Sequence, residues 1–193
     1  MKYDIDAIQK VKNFIPQNEL DIIHNFLLSQ KKFKVKDVMY VDQIVGEYEN
    51  DSPIDDQQVI SLMRDINQRI VEYITNHYFE KIGLEVTKHT WTRNLELIRW
   101  SHSASLGPHA DGLSTEPPMP RYNIGALVYI NDNYEGGEIN FPDFNVKIKP
   151  SSGDLVMFPC HYIHEVCEIG PRNDESVVRH TMPVFYNFDV QEI

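Results

Sequence analysis

Asn123-Ile124-Gly125-Ala126-Leu127-Val128-Tyr129-Ile130-Asn131 is followed by Asp132-Asn133, and then by Gly136-Gly137-Glu138-Ile139-Asn140-Phe141-Pro142-Asp143. An apolar run of strand length is broken by Asn and Asp, then by a glycine pair, then by Pro-Asp. Short strands joined by tight turns read this way. The same texture extends to both sides. Residues 84–92 and 95–100 lie upstream, and 146–148, 154–158, 163–168 and 177–188 lie downstream, with breaks at Gly107-Pro108, 150–153 and 170–174. Many short strands at this spacing predict an all-β sandwich or barrel over residues 83–193.

Ahead of residue 83 the period changes from two to about three and a half. Leu20, Ile23 and Leu27 fall on one helical stripe within 18–28, with Ile22 and Phe26 beside it. A second helix is expected from Ser52-Pro53-Ile54-Asp55, where Ser52 caps, Pro53 takes the first helical position and Asp55 completes a capping-box pattern. Val59, Leu62, Met63, Ile66, Ile70, Tyr73 and Ile74 carry it to about Tyr78 or Phe79. Residues 33–48 read as one or two strands with a turn. Helices followed by strands imply helices packed on one face of the β-structure. The expectation is therefore a single domain, with a helical support region at 1–82 and a β core at 83–193.

The 193 residues, 41% of them apolar or aromatic, suit one domain with a sizeable core. No run is long and apolar enough for a membrane span. The start, Met1-Lys2-Tyr3-Asp4-Ile5-Asp6, lacks the apolar stretch of a secretory signal. A soluble, cytoplasmic protein is expected. Cys160 and Cys167 are too few for a disulfide framework and read as two free thiols. A formal net charge of −11 argues against nucleic acid as a partner.

The candidate chemistry sits in His109-Ala110-Asp111 and in His164, 53 residues after Asp111. Residues i and i+2 of a strand point to one face, so the imidazole of His109 and the carboxylate of Asp111 can converge. A distant histidine then completes a 2-His-1-carboxylate triad, which leaves open positions on octahedral Fe(II). The His-x-Asp pattern alone is common by chance, and eight histidines make a later partner easy to find.

The surroundings add to it. Residues 97–100, Leu-Ile-Arg-Trp, precede His109-Ala110-Asp111. Arg121, Leu127-Val128-Tyr129-Ile130-Asn131, Gly136-Gly137-Glu138 with Phe141-Pro142, residues 150–158 and His164-Glu165-Val166 follow in order, and Asn13-Phe14-Ile15-Pro16 leads in. Taken together, the series resembles the prolyl-4-hydroxylase-like branch of the 2-oxoglutarate/Fe(II) oxygenases. The resemblance implies a double-stranded β-helix, or jelly roll, mostly β with N-terminal helices. It implies Fe(II) on His109, Asp111 and His164, 2-oxoglutarate and O₂ as cosubstrates, ascorbate as an accessory ligand, and a protein or peptide substrate, proline first.

It also implies a basic residue past His164 that pairs with the far carboxylate of 2-oxoglutarate. Arg172 lies in the turn Gly170-Pro171-Arg172-Asn173-Asp174, whereas Arg179 opens a strand and shares a face with Thr181. Arg179 is the reading taken, although it follows His164 by 15 residues, several more than is usual in the family. Tyr129 is implied as a hydrogen-bond donor to the same carboxylate, with an ordinary core aromatic as the alternative. Trp100 stands where the family commonly has Tyr, and reads as a wall of the pocket. His102, His161 and His180 read as non-ligands. The Pro-rich stretch 112–120 reads as a lid over the metal or as a stiff surface loop. A non-catalytic jelly-roll module and an oxygenase of small molecules or nucleobases are the rival readings. The nucleobase branch carries a second Arg six residues after the first, where this chain has Phe185.

Overall fold

The computed structural model describes residues 4–30, 36–40, 52–93, 95–111, 123–171 and 174–193. In chain order these form β1 (Gln9–Val11), α1 (Gln17–Ser29), β2 (Lys36–Tyr40), β3 (Ser52–Pro53), α2 (Gln57–Tyr73), β4 (Leu84–Thr92), β5 (Glu96–Ser101), β6 (Leu106–His109), β7 (Ile124–Tyr129), β8 (Glu135–Gly136), β9 (Ile139–Phe141), β10 (Val146–Ile148), β11 (Leu155–Pro159), β12 (His164–Val166), β13 (Ile169–Gly170) and β14 (Val178–Glu192).

The major sheet runs β1-β11-β7-β14-β5-β2-β3, with β4 alongside the C-terminal part of β14. The minor sheet runs β10-β9-β12-β6, and β8 pairs with β13 in a two-stranded ribbon. Pairing is antiparallel throughout except between β2 and β3. The chain is thus mostly β, a jelly roll with its helices on one sheet, as the strand spacing and the resemblance implied. Among the described residues no helix is long and apolar enough to cross a membrane. Cys160 and Cys167 are free.

Side-chain alternation sorts the major sheet into two faces. Leu155 and Met157 of β11, Ala126 and Val128 of β7, and Met182 and Val184 of β14 pack against Leu20, Ile23 and Leu27 of α1 and Met63, Ile66 and Ile70 of α2. Val156, Phe158 and Tyr129 point the other way and meet Ile139 and Phe141 of the minor sheet. Both faces are buried, which is why these strands read as unbroken apolar runs rather than as alternation. Fully burying a side chain such as Ile66 or Ile70 contributes about 1.5–3 kcal/mol.

Three elements depart from the expectations. The second helix is capped by Asp56, whose carboxylate accepts from the amides of Gln58 and Val59 at 2.9 and 3.1 Å. Ser52–Pro53, expected as its first turn, are instead drawn into pairing with β2. Gly107-Pro108, expected as a break, lies inside β6; this is an edge strand, where a missing N–H can face away from the ladder. β1 was not anticipated. Its partner is β11, far along the chain.

The lead-in is tied to the site through one turn. Ile15 donates to the Gly153 carbonyl at 3.0 Å, Gly153 donates to the Tyr129 carbonyl at 2.8 Å, and Tyr129 donates to the Asp154 carbonyl at 3.1 Å. Gly153 has φ +82°, and a Cβ there would stand 2.6 Å from the Ile15 oxygen. Asp154 is 2% exposed and pairs with Lys10 at 2.8 Å. Its carboxylate also accepts from the amides of Asn13 and Ser151. Burial raises its pKa, but the Lys10 and amide hydrogen bonds outweigh burial and hold it below the ordinary value.

Candidate active site

β6 and β12 are antiparallel neighbours with His109 opposite His164. That register sets the two imidazoles side by side, with ring centroids 4.3 Å apart. Asp111 does not lie in the strand with His109, as the i, i+2 argument assumed: β6 ends at His109 and Asp111 sits in the turn that follows. The turn still brings its carboxylate to the pair, with Oδ1 3.6 Å from His109 Nε2 and Oδ2 3.4 Å from His164 Nε2. One ligand atom from each of the three residues lies within 4.8 Å of the others. Cis ligands about 2.1 Å from one ion stand roughly 3 Å apart, so the three need little movement to share a metal.

The second nitrogen of each ring is already assigned. His109 Nδ1 lies 2.8 Å from the Gly107 carbonyl, and His164 Nδ1 lies 3.0 Å from the Tyr162 carbonyl. A carbonyl only accepts, so each Nδ1 carries the proton and each Nε2 keeps its lone pair toward the triad. Burial lowers the pKa of His164, against the pull of Asp111 and the Tyr162 hydrogen bond, and so favours the neutral, ligating form. Phe158 and Phe141 flank that ring at 4.6 and 5.9 Å. Behind them Gly125 leaves room: a Cβ there would be 3.2 Å from Phe158 and 3.7 Å from Asp111 Oδ2. Two imidazoles and one carboxylate converging on one point suit Fe(II).

A buried cation packs, through Tyr129, on the aromatic rings beside the triad. β14 sets Arg179 opposite Trp100 of β5 and Thr181 opposite Tyr129 of β7. Arg179 is 1% exposed. Its guanidinium carbon lies 5.2 Å from the Tyr129 ring and 5.5 Å from the Trp100 ring. Arg179 takes part in none of the ion pairs among the described residues. Its Nε and the hydroxyls of Tyr129 and Tyr134 are buried outside hydrogen-bond geometry of any described residue, with both hydroxyls close enough to the guanidinium to interact with it. Burial raises the pKa of both phenols, that of Tyr134 to about 12, with the nearby guanidinium pulling the other way. Tyr129 packs with Phe141 and Phe158, the rings that flank His164. A buried cation without a carboxylate, next to two unsatisfied hydroxyls, is a fitting seat for a carboxylate ligand.

The structure brings His109, Asp111 and His164 together, and separately Arg179, Tyr129, Thr181 and Trp100. The metal-ligating cluster among the described residues leaves out His102, His161 and His180. Arg172, Arg121 and the stretch 112–120 lie outside the described residues. Two residues escaped sequence reasoning. Asn131 accepts from the His180 amide at 2.7 Å and donates to the Val178 carbonyl at 2.8 Å, holding the backbone on both sides of Arg179. Its signal was the Asn that ends the strand motif. Tyr134, just ahead of Gly136-Gly137, carried no signal beyond its aromatic type.

Residues 95–187 match the family described as the 2OG-Fe(II) oxygenase superfamily. None of the curated proteins matches the sequence. Among solved structures, the viral collagen prolyl hydroxylase of Paramecium bursaria Chlorella virus-1, in its 2OG complex, superposes with a TM-score of 0.66 at 16% identity, covering 97% of this chain and 96% of that one. A Pseudomonas putida prolyl-4-hydroxylase gives 0.63 at 15% identity, over 94% and 92%. A Trichoplax adhaerens prolyl hydroxylase, in complex with a hypoxia inducible factor oxygen degradation domain peptide fragment, gives 0.61 at 13% identity, over 94% and 84%. At these identities the likeness is one of fold.

Proposed function

We propose that this chain, which matches the 2OG-Fe(II) oxygenase superfamily over residues 95–187, hydroxylates a prolyl residue of a polypeptide, with Fe(II) on His109, Asp111 and His164 and 2-oxoglutarate anchored by Arg179. The observation that carries the reading is the buried Arg179, in no ion pair among the described residues, packed through Tyr129 on the rings beside a triad that could hold a metal. 2-Oxoglutarate has a chelating end, formed by its keto oxygen and adjacent carboxylate, and a free carboxylate at the other end. Such a molecule suits two features linked through Tyr129 and those rings.

When bound, Fe(II) with 2-oxoglutarate and O₂ supplies the oxidising chemistry, and succinate and CO₂ leave as co-products. The protein supplies position and electrostatics. His109 and His164 present Nε2 because the Gly107 and Tyr162 carbonyls hold their other nitrogens. Asp111 adds the negative charge, and three protein ligands leave three positions open. The planar fork of Arg179 takes the far carboxylate bidentately, with the Tyr129 hydroxyl as a further donor and Thr181 on the same strand face. The Trp100 and Tyr129 rings keep water from the guanidinium. Phe141 and Phe158 do so behind His164.

The polypeptide substrate rests on the fold neighbours, of which one is a collagen prolyl hydroxylase and another holds a peptide. A formal net charge of −11 favours a neutral or basic segment. The test is anaerobic titration of the Fe(II) protein with 2-oxoglutarate, expected to give a weak visible charge-transfer band. Proline peptides with basic flanks are then scored for the mass of one added oxygen atom. A protein that gives no band refutes the cosubstrate reading. Oxidation of a free amino acid or nucleobase, and of no peptide, refutes the substrate alone.

A further inference from the structure

We propose that Tyr134 is a ligand of the far carboxylate of 2-oxoglutarate, its hydroxyl joining Arg179 and Tyr129 in one carboxylate-binding group; this rests on the cosubstrate reading above. Tyr134 is 7% exposed, and its hydroxyl is buried without a hydrogen-bond partner among the described residues. Its ring is fixed from two sides. Lys149 Nζ lies 4.4 Å from the ring centroid and donates to the Tyr134 carbonyl at 3.3 Å and to that of Gly136. On the other side is Gly137, where a Cβ would stand 2.8 Å from Tyr134 Cε2 and 3.3 Å from Arg179 Cδ. The glycine at 137, with φ +65°, therefore lets the Tyr134 ring and the Arg179 stem approach each other closely. Ile98, Trp100, Ala104 and Ile169 complete the seat.

An ordinary core aromatic at this place would be Phe, since an unpaired buried hydroxyl weakens the fold. The hydroxyl makes sense once a carboxylate is present. A carboxylate offers about four lone-pair sites, and a guanidinium fork fills two of them. Among the described residues the phenols of Tyr129 and Tyr134 are further donors next to Arg179. Burial keeps the Tyr134 proton on at neutral pH, so it can be donated.

The test compares Tyr134→Phe with the wild type in three measurements. Without ligand, the variant should be at least as stable to urea, because the hydroxyl removed is buried outside hydrogen-bond geometry and only lies near the guanidinium, which the phenol cannot neutralise. Calorimetric titration of the anaerobic Fe(II) protein should show 2-oxoglutarate bound about tenfold or more weakly, and pyridine-2,4-dicarboxylate likewise. Pyridine-2-carboxylate, a chelator without the far carboxylate, should bind as before. Unchanged 2-oxoglutarate affinity, or equal losses for both pyridine chelators, would overturn the proposal. A variant destabilised or unfolded without ligand would overturn it too, since the hydroxyl would then have a structural partner. If the wild type binds no 2-oxoglutarate, the proposed function fails and this inference with it.

Discussion

Replacing Arg179 by Met separates ligand binding from folding. Met keeps the apolar stem and removes the charge. In the ligand-free protein the change forfeits two cation–π contacts, at 5.2 and 5.5 Å, each worth about 0.5–2 kcal/mol. It also relieves the burial of a charge that is 1% exposed, a penalty of several kcal/mol. Arg179→Met is therefore expected to be at least as stable as wild type without ligand. With ligand the balance reverses. Losing a buried, charge-assisted pairing costs about 2–5 kcal/mol, or roughly 30-fold to a few thousand-fold in affinity. A ligand held at 100 times Kd stabilises the wild type by about 2.7 kcal/mol. At the same concentration a variant weakened 30-fold sits at about three times Kd and gains less than about 0.9 kcal/mol. The assay is urea denaturation of the anaerobic Fe(II) protein with and without 2-oxoglutarate. Equal stabilisation of both proteins by the ligand would refute the carboxylate seat. A ligand-free variant weaker by more than about 2 kcal/mol would make Arg179 a structural residue, contrary to the reasoning on buried charge.

Three further outcomes are expected. His109→Ala, Asp111→Ala and His164→Ala should each abolish metal-dependent succinate formation while His161→Ala leaves it intact; full turnover by the His164 variant contradicts the triad. Gly136→Ala should destabilise the fold by about 1–2 kcal/mol for its left-handed backbone alone, and by more for a Cβ placed 2.0 Å from the Glu168 carbonyl oxygen; a wild-type urea midpoint counts against that geometry. His180 is buried, and burial, then His24 and Arg99, push its pKa down to about 3, so between about pH 3 and 6.5 the unfolded chain binds the extra proton and stability falls as pH falls. His180→Leu should therefore lose about 2 kcal/mol less than wild type between pH 7 and pH 5, one and a half pH units below the ordinary histidine value at about 1.36 kcal/mol per unit; parallel pH profiles would show that His180 is not the group responsible.

What was legible in the sequence was whatever local chemistry decides. β4, β7 and β11 are apolar or β-branched runs bounded by Gly, Pro or Asn, and they form close to where they read. α1 follows its stripe. Where a distant partner decides, local reading went astray. Ser52-Pro53 is a sound helix start in isolation, yet the chain there is captured by β2 and the helix starts at Gln57, capped by Asp56. Gly107-Pro108 looks like a break because proline breaks central ladders, and only its edge position makes it a strand. That His109, Asp111 and His164 come together was legible as a residue set, though not in its geometry, since a turn rather than strand alternation delivers Asp111. Tyr134 was illegible because the state of its hydroxyl depends on Arg179, 45 residues later.

Arg179 and His180 show how fold and site depend on one register. They are adjacent in β14, so one faces the pocket and the other faces the helices. His180 lies with its ring centroid 5.1 Å from that of His24 in α1, and neither of its ring nitrogens has a hydrogen-bond partner among the described residues. A slip of one residue would exchange the two, putting a guanidinium against α1 and an imidazole in the carboxylate seat. Apolar alternation alone guards weakly against this, because both faces of the sheet are buried and both accept apolar side chains. Asn131 guards against it directly. Its carboxamide accepts from the His180 amide and donates to the Val178 carbonyl, while the Ile130 amide binds the His180 carbonyl at 3.0 Å. These bonds hold the backbone of the residues flanking Arg179 and would all be lost together on a slip. The side chain that ends the β7 motif thus fixes which face of β14 carries the cation, and so the polarity of the pocket follows from a structural hydrogen-bond pair.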